Sequence, residues 1–99
     1  MSVLMTLRVT GNPKGIEATA PQTLKAIVDR AKAHGVIRHR FYGSDNEILV
    51  VDEWPDEASF QAFFDESGAE IKGLMDNAGV TSAPSVEFWR ALDVDDAVG

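Results

Sequence analysis

The order of two hydrophobic patterns along the chain constrains the fold more than any other sequence feature. Apolar and polar residues alternate from Val3 to Thr10, as in a half-buried β-strand. Apolar residues then recur at helical spacing from Pro21 to His34, and Gly35 follows where a helix commonly ends. The later segments are predicted as strands over 36–43, 46–54 and 85–92, with a helical stretch over 57–79 between the last two.

Turn-forming and capping residues separate these segments. A break is predicted at 11–15, and the run at 43–46 has the composition and length of a hairpin turn. Asp56 is a suitable N-cap for the following helix, and residues 67–68 are predicted to bend or interrupt that helix. Residues 16–20 form either an earlier turn of the first helix or a separate short helix.

The predicted order is therefore β-α-β-β-α-β within one domain of 99 residues. This order is that of an α+β, ferredoxin-like fold, in which two helices cover one face of a four-stranded antiparallel sheet. An acidic C-terminal tail, residues 93–99, follows the last strand.

The length of the central hairpin loop decides which side chains share a face of the sheet. A three-residue loop at 44–46 would set Arg38 opposite Asp52, and a loop two residues longer would set Arg40 there. Both registers predict one face with Val36, Arg38, Arg40, Tyr42, Ile48, Val50, Asp52 and Trp54, and another with Ile37, His39, Phe41, Leu49 and Val51. Neither set is typical of a fully solvated surface. We therefore expect a homodimer in which a partner covers the face that the helices leave open.

Composition excludes several classes of site. The chain has no cysteine, so disulfides and thiolate chemistry are impossible, and its two histidines make a metal site improbable. Residues 1–44 hold seven basic and two acidic residues, whereas residues 45–99 hold two basic and fourteen acidic ones, for a net charge of −7. Nucleic-acid binding is disfavoured by this charge.

The sequence also has no apolar run of membrane-spanning length and no signal-peptide pattern, so a cytoplasmic protein is expected.

Two runs of sequence resemble the antibiotic biosynthesis monooxygenase-like domains of the dimeric α/β-barrel superfamily. The first is I-L-V-V-D-E-W-P-D-E-A-S-F-Q-A-F-F, residues 48–64, in which an apolar strand leads through a Trp and a turn into a helix with paired aromatics. The second is H-G-V-I-R-H-R-F-Y-G-S-D-N, residues 34–46.

This resemblance implies a homodimer whose two sheets form a barrel, with a pocket between sheet and helices that Trp54 can line. It implies no cofactor, because the family includes cofactor-free oxygenases acting on aromatic substrates. The family also includes haem-degrading enzymes, which carry a His on the second helix and an Asn on the first strand. This chain has neither residue at those places, so haem degradation is not expected.

Six residues are candidates for a site, and each also has a structural interpretation. Trp54 lines the pocket or packs at a strand end. Arg38, Arg40 and Asp52 orient an acidic aromatic ligand, with Tyr42 as proton donor, or they form an ion pair at the dimer interface. His39 is the best candidate for a general base, since histidine exchanges protons near neutral pH, or it is a hydrogen-bonded interface or core residue.

Two functions follow from these candidates. The first is a dimeric protein that binds a small apolar or aromatic molecule between sheet and helices. The alternative is a cofactor-independent, monooxygenase-like enzyme acting on an aromatic substrate. The sequence contains no complete set of nucleophile, base and orienting residue, so it does not choose an enzyme over a binding protein.

Overall fold

The structure is a computed structural model that describes residues 2–99. It contains four strands and four helices in the order β1-α1-α2-β2-β3-α3-α4-β4. The strands are β1 Val3–Thr10, β2 Arg38–Gly43, β3 Glu47–Trp54 and β4 Ser85–Trp89. The helices are α1 Pro13–Glu17, α2 Pro21–Ala33, α3 Glu57–Glu66 and α4 Gly68–Asn77.

The four strands form one antiparallel sheet in the order β2-β3-β1-β4. The predicted α+β, ferredoxin-like fold is confirmed. α1 is a separate short helix, and it begins at Pro13, within the segment predicted as a break at 11–15. The second predicted helical stretch divides at Ser67, where the sequence predicted an interruption.

Helices α2 and α4 end in the same hydrogen-bonded motif, and this motif shortens the predicted second strand. Val36 N–H donates to Ala31 O while Gly35, at φ +93°, donates to Lys32 O. This is a Schellman cap, in which the residues after the helix satisfy its last carbonyls. Because Val36 is used in this cap, β2 begins at Arg38 rather than at residue 36. Gly79, at φ +69°, and Val80 cap α4 in the same way.

The core lies between the helices and one face of the sheet. The buried apolar side chains of the sheet are Met5, Leu7, Val9, Ile48, Val50 and Trp54. Those of the helical layer are Ile16, Ala31, Phe60, Phe63, Leu74 and Ala78. All twelve belong to a single cluster, so the four helices cover the same face of the sheet.

The register of the central hairpin differs from both predicted registers. Gly43 pairs with Ile48, which leaves four residues in the loop, and His39 consequently pairs with Asp52. The prediction that Arg38 or Arg40 lies opposite Asp52 is wrong. Because side chains alternate along a strand, a shift of one residue moves every side chain of β2 to the other face.

The corrected register redistributes the candidate residues between the two faces of the sheet. His39 and Phe41 share the helix-covered face with Asp52 and Trp54. Three candidates lie instead on the open face, together with Leu49, Val51 and Glu53 of the neighbouring strand. These are Arg38, Arg40 and Tyr42.

The open face carries both apolar side chains and ion pairs. Leu4, Tyr42 and Trp89 are large and substantially exposed there. Arg8 forms a two-pronged ion pair with Glu47, with Nε to Oε2 at 2.6 Å and an NH2 nitrogen to Oε1 at 2.9 Å. No helix within residues 2–99 covers this surface.

Candidate functional site

A buried carboxylate lies beneath the helices at the end of β3. Asp52 is 4% exposed, and both of its oxygens accept hydrogen bonds from aromatic ring nitrogens. His39 Nδ1 lies 2.7 Å from Oδ1, and Trp54 Nε1 donates to Oδ2 at 3.1 Å. Burial of a carboxylate is costly unless such partners compensate for the lost water. The two bonds therefore explain how an acid is tolerated here.

The buried Trp54 side chain fixes the position of the Asp52 carboxylate from the core side. This side chain is 0% exposed, and its ring packs on Phe60 and Phe63 with centroid distances of 5.7 and 5.4 Å. The indole N–H has one buried acceptor available, which is the Asp52 carboxylate. Trp54 is therefore both a packing residue and the residue that fixes the carboxylate.

His39 is the partner of Asp52 that remains accessible. Its side chain is 25% exposed, and its ring lies edge-on to Phe41 at 4.8 Å and 87°. An ionised carboxylate only accepts hydrogen bonds, so the proton of a neutral His39 ring is on Nδ1. The lone pair of Nε2 is then available to accept a proton or a hydrogen bond, which is the arrangement that a buried carboxylate imposes on a general base.

His39 and Asp52 line a small cavity between the sheet and helices α2, α3 and α4. The cavity volume is about 60 Å³. The other lining residues are all apolar: Met5, Leu7, Leu24, Ile27, Val28, Ala31, Phe41, Val50, Phe60, Phe63, Phe64, Ile71, Leu74 and Met75. Such walls with few polar groups are typical of sites for small organic molecules. Trp54 is not among the lining residues, so it acts on the cavity through Asp52.

Two side-chain pairs join the helices on either side of this cavity, and we call them the helix latch. Arg30 of α2 binds Glu70 of α4, and His34 Nε2, at the end of α2, lies 2.6 Å from Glu66 Oε2 of α3. The hydrogen bond from Arg30 holds the pKa of the Glu70 carboxyl below its ordinary value. Both pairs are partly exposed, so each contributes little to global stability. Their position nevertheless ties α2 to α3 and α4.

A larger concavity lies at the other end of the sheet. It has a volume of about 940 Å³, lies between the hairpin loop and α1, and is open to solvent. It is lined mainly by loop and glycine residues and contains no hydrogen-bonded pair of titratable side chains comparable to His39 and Asp52. We therefore assign the candidate site to the smaller cavity on the basis of its chemistry.

Within residues 2–99, no three His, Cys, Asp or Glu side chains come close enough to hold a metal ion. No helix in the same range is long and apolar enough to cross a bilayer.

Comparison with known proteins identifies the fold. No family model matches the sequence, and no curated protein matches it. Among solved structures, SnoaB, a cofactor-independent oxygenase from Streptomyces nogalater, matches with a TM-score of 0.66 and 17% identity, over 97% of this chain and 98% of that chain. An antibiotic biosynthesis monooxygenase matches with a TM-score of 0.62 and 14% identity, over 91% and 98%.

The chain has the same ferredoxin-like fold as these two proteins. A dimeric ferredoxin-like protein from an uncultured marine organism gives a TM-score of 0.62 at 16% identity, over 98% of this chain and 93% of that chain. The predicted resemblance to antibiotic biosynthesis monooxygenase-like domains is confirmed for the fold. At these identities the likeness establishes the fold and assigns no reaction.

In this fold the six predicted site residues divide into two groups. His39, Asp52 and Trp54 come together beneath the helices. Arg38, Arg40 and Tyr42 lie on the open face, where Arg38 Nε is 3.4 Å from Glu53 Oε1. The predicted ligand pocket that combined both groups is therefore not formed within one chain.

Sequence reasoning missed the contact between His39 and Asp52 and the helix latch. A four-residue hairpin loop at 44–47 would have given the first, because it sets those two residues opposite each other. No sequence signal identifies Arg30 with Glu70 or His34 with Glu66, since these residues are 40 and 32 positions apart.

Proposed function

We propose that this protein binds a small apolar or aromatic molecule in the cavity between the sheet and the helices, where His39 contacts the ligand's polar group. The observation that carries the proposal is the hydrogen bond between buried Asp52 and His39 at 2.7 Å. It orients the ring at the edge of an otherwise apolar cavity. A planar phenol fits this chemistry, because its ring contacts the apolar walls and its O–H donates to Nε2.

The cavity volume requires the helices to move when such a ligand enters. About 60 Å³ is well below the roughly 300–1,000 Å³ of typical pockets for drug-sized ligands. Part of the space is filled by Leu24, Ile71 and Met75, which belong to helices on opposite sides of the helix latch. Separation of α2 from α3 and α4 would enlarge the cavity without disturbing the sheet.

We also propose that the protein is a homodimer that packs sheet against sheet. Leu4, Tyr42 and Trp89 are exposed on the open face, and such apolar surface is commonly covered by a partner. A protein of the same fold is described as dimeric. In such a dimer Arg38, Arg40 and Tyr42 face the second subunit, which agrees with their interpretation as interface residues.

A titration with planar phenols tests ligand binding. We expect His39→Gln to weaken binding about tenfold or more, because one hydrogen bond is lost inside a largely apolar site. Lys72→Gln is the control, since Lys72 pairs with Asp76 on the exposed side of α4 and does not line the cavity. Isothermal calorimetry gives both affinities. Equal losses in the two variants, or binding of no phenol at all, would contradict the proposal.

The second candidate function is cofactor-independent oxygenation of an aromatic substrate. The specific observation in its favour is that Asp52 leaves Nε2 of His39 free to remove a proton. The electron-rich anion so formed would reduce O₂: one oxygen atom enters the substrate as a carbonyl, and the other leaves as water with two hydrogens that the substrate itself gives up. SnoaB, which shares the fold, is a cofactor-independent oxygenase.

Oxygen consumption separates this candidate from simple binding. We expect uptake in the presence of a bound phenol, and its loss in both His39→Gln and Asp52→Asn. The second variant keeps the shape of the carboxylate but removes the charge that orients the ring. Tight binding of phenols without oxygen uptake would contradict the enzymatic candidate and leave the binding function standing.

A further inference from the structure

The small cavity and the larger concavity meet at one side chain. The cavity beside His39 has a volume of about 60 Å³, and the concavity beside the hairpin loop has a volume of about 940 Å³. Among residues 2–99, only Phe41 lines both of them. Phe41 therefore forms a wall between the buried pair of His39 with Asp52 and a space that is open to solvent.

The order of residues along β2 explains this position of Phe41. His39, Phe41 and Gly43 follow one another on the helix-covered face, and each is about 6.6 Å from the next along the strand. His39 lines the cavity, and Gly43 lines the concavity. Because Gly43 has no side chain, no other side chain of β2 continues the wall on this face toward the hairpin loop.

The strand beside Phe41 provides a continuous apolar floor under both spaces. Val50 pairs with Phe41 and lines the cavity, whereas Ile48 pairs with Gly43 and lines the concavity. Both residues are buried, and both belong to the core cluster. A flat molecule that lies on this floor can therefore extend from one space into the other once the ring of Phe41 is out of the way.

The surroundings of Phe41 allow its ring to turn. β2 is the outermost strand of the sheet, so no further strand lies beside Phe41 on one side. The side chain is half-buried, and its ring lies edge-on to His39 at 4.8 Å. Rotation of χ1 from one staggered position to another moves an aromatic ring and leaves the backbone in place. Such a rotation toward solvent would join the cavity to the concavity.

The lining of the concavity favours a neutral polar group. Its charged residues are one base, Lys14, and two acids, Glu17 and Asp45, so neither sign of charge dominates strongly. Side-chain hydroxyls and amides both donate and accept hydrogen bonds, as the hydroxyls of a sugar or another polyol do. The residues of this kind that line the concavity are Thr10, Asn12, Ser44, Asn46 and Thr81.

We infer that Phe41 is a gate between the two spaces and that the ligand is a phenol with a neutral, hydroxyl-rich arm in the para position. The inference rests on the binding function proposed above and specifies the class of ligand. The phenol O–H donates to Nε2 of His39, and the arm passes Phe41 and lies in the concavity beside Gly43. Separation of the helices makes room for the ring of the ligand, whereas the turn of Phe41 makes room for its arm.

Two matched phenols test the gate by isothermal calorimetry. Arbutin carries a glucose unit on its para oxygen, and 4-methoxyphenol carries a methyl group there. The arbutin preference is the dissociation constant of 4-methoxyphenol divided by that of arbutin. We expect Phe41→Leu to raise this preference about tenfold. A ligand that needs an uncommon open state binds more weakly by the fraction of molecules in that state, and the smaller side chain removes this loss for arbutin alone.

Phe64→Leu is the matched control for this substitution. Phe64 is also a half-buried aromatic residue that lines the cavity, but it does not line the concavity. Its replacement should change both dissociation constants by the same factor and leave the arbutin preference unaltered. Phe41→Trp, which enlarges the wall, should lower the preference.

Backbone amide resonances measured by NMR locate the arm of the ligand. Both phenols should shift the amide resonances of His39 and Val50, because both place their ring in the cavity. Only arbutin should shift those of Gly43, Ser44 and Asn46, which line the concavity. The same spectra show whether each variant has kept the fold of the original protein.

Each outcome distinguishes the gate from the proposed binding function. Failure of both phenols to bind overturns the two together. Binding of 4-methoxyphenol that His39→Gln weakens, with an arbutin preference that Phe41→Leu leaves unchanged, overturns the gate alone. Shifts at Gly43, Ser44 and Asn46 that are equal for the two phenols overturn it as well. A raised preference together with arbutin-specific shifts at these residues supports it.

Discussion

At the scale of single residues, Asp52 is the side chain on which the candidate site depends. It accepts from two ring nitrogens, and one of the donors, Trp54, is completely buried. A charged group in this position would be expelled from a core that lacked those donors. The Trp at the end of β3 is therefore explained by the acid two residues before it, as well as by its packing.

We expect Asp52→Ala to destabilise the protein markedly. The change leaves the buried indole N–H without an acceptor, which costs about 1–3 kcal/mol, in addition to the loss of the His39 partner. The free energy of unfolding in urea measures the effect. Asp52→Asn, which keeps an acceptor oxygen, is the control and should be clearly milder. Equal stability of the alanine variant and the original protein would show that the indole N–H finds another partner.

Ser67 offers the opposite case. Its side chain is fully buried between α3 and α4, and its Oγ has no hydrogen-bond partner among the described residues. We expect Ser67→Ala to be neutral or stabilising by about 1 kcal/mol, because it removes an unsatisfied polar group. The urea midpoint measures the change, and Ser44→Ala on the exposed hairpin loop is the control. A clear loss of stability would reveal a hidden partner for Oγ.

At the scale of elements, the glycines of α4 and its cap are predicted to respond in opposite directions. Gly73→Ala, inside α4, should stabilise by about 0.5–1 kcal/mol, because no atom outside the helix's own backbone lies within 4 Å of the added Cβ. Gly79→Ala should destabilise by about 1 kcal/mol, because its φ of +69° disfavours any side chain although the space is open. Thermal unfolding of both variants checks the contrast, and the same sign in both would contradict it.

The helix latch gives a prediction about pH. The pKa of Glu70 is lowered by Arg30, so its contribution is present above the ordinary value of 4.5 and is lost as the pH falls through the lowered folded-state value. We therefore expect Glu70→Gln to be less stable than the original at neutral pH, with the difference vanishing in acid. Urea unfolding across this range measures it. A difference that does not depend on pH would mean that the pair acts through packing.

The elements also show which parts of the site the sequence could and could not predict. The alternation of β1, the cap at Asp56 and the glycines at 35 and 79 are local signals, and the structure agrees with them. The pairing of β2 with β3 depends on how many residues the hairpin loop holds, and three, four or five residues fit the same turn composition. A difference of one residue in the length of the loop determines whether His39 or an arginine lies opposite Asp52.

At the scale of the whole molecule, the element order sufficed to predict the fold because few topologies satisfy β-α-β-β-α-β with short connections. The same order left the open face unexplained. A sheet with helices on one side either exposes its second face to water or covers it by association. This face exposes Leu4, Tyr42 and Trp89 beside the Arg8–Glu47 pair, and exposed apolar side chains of this size favour association.

The thermal stability of the protein should therefore depend on its concentration. Unfolding of a dimer releases two chains, so its midpoint temperature rises with protein concentration, whereas that of a monomer does not. We expect Val51→Glu to abolish this dependence. The new carboxylate is set opposite Arg40 within its own chain, but in the proposed sheet-to-sheet dimer it would be buried in the interface. Gln22→Glu, on the exposed start of α2, is the control that adds the same charge. Calorimetry over a hundredfold range of protein concentration measures the midpoint temperature of unfolding. A midpoint temperature that stays constant in the unmodified protein would contradict the homodimer.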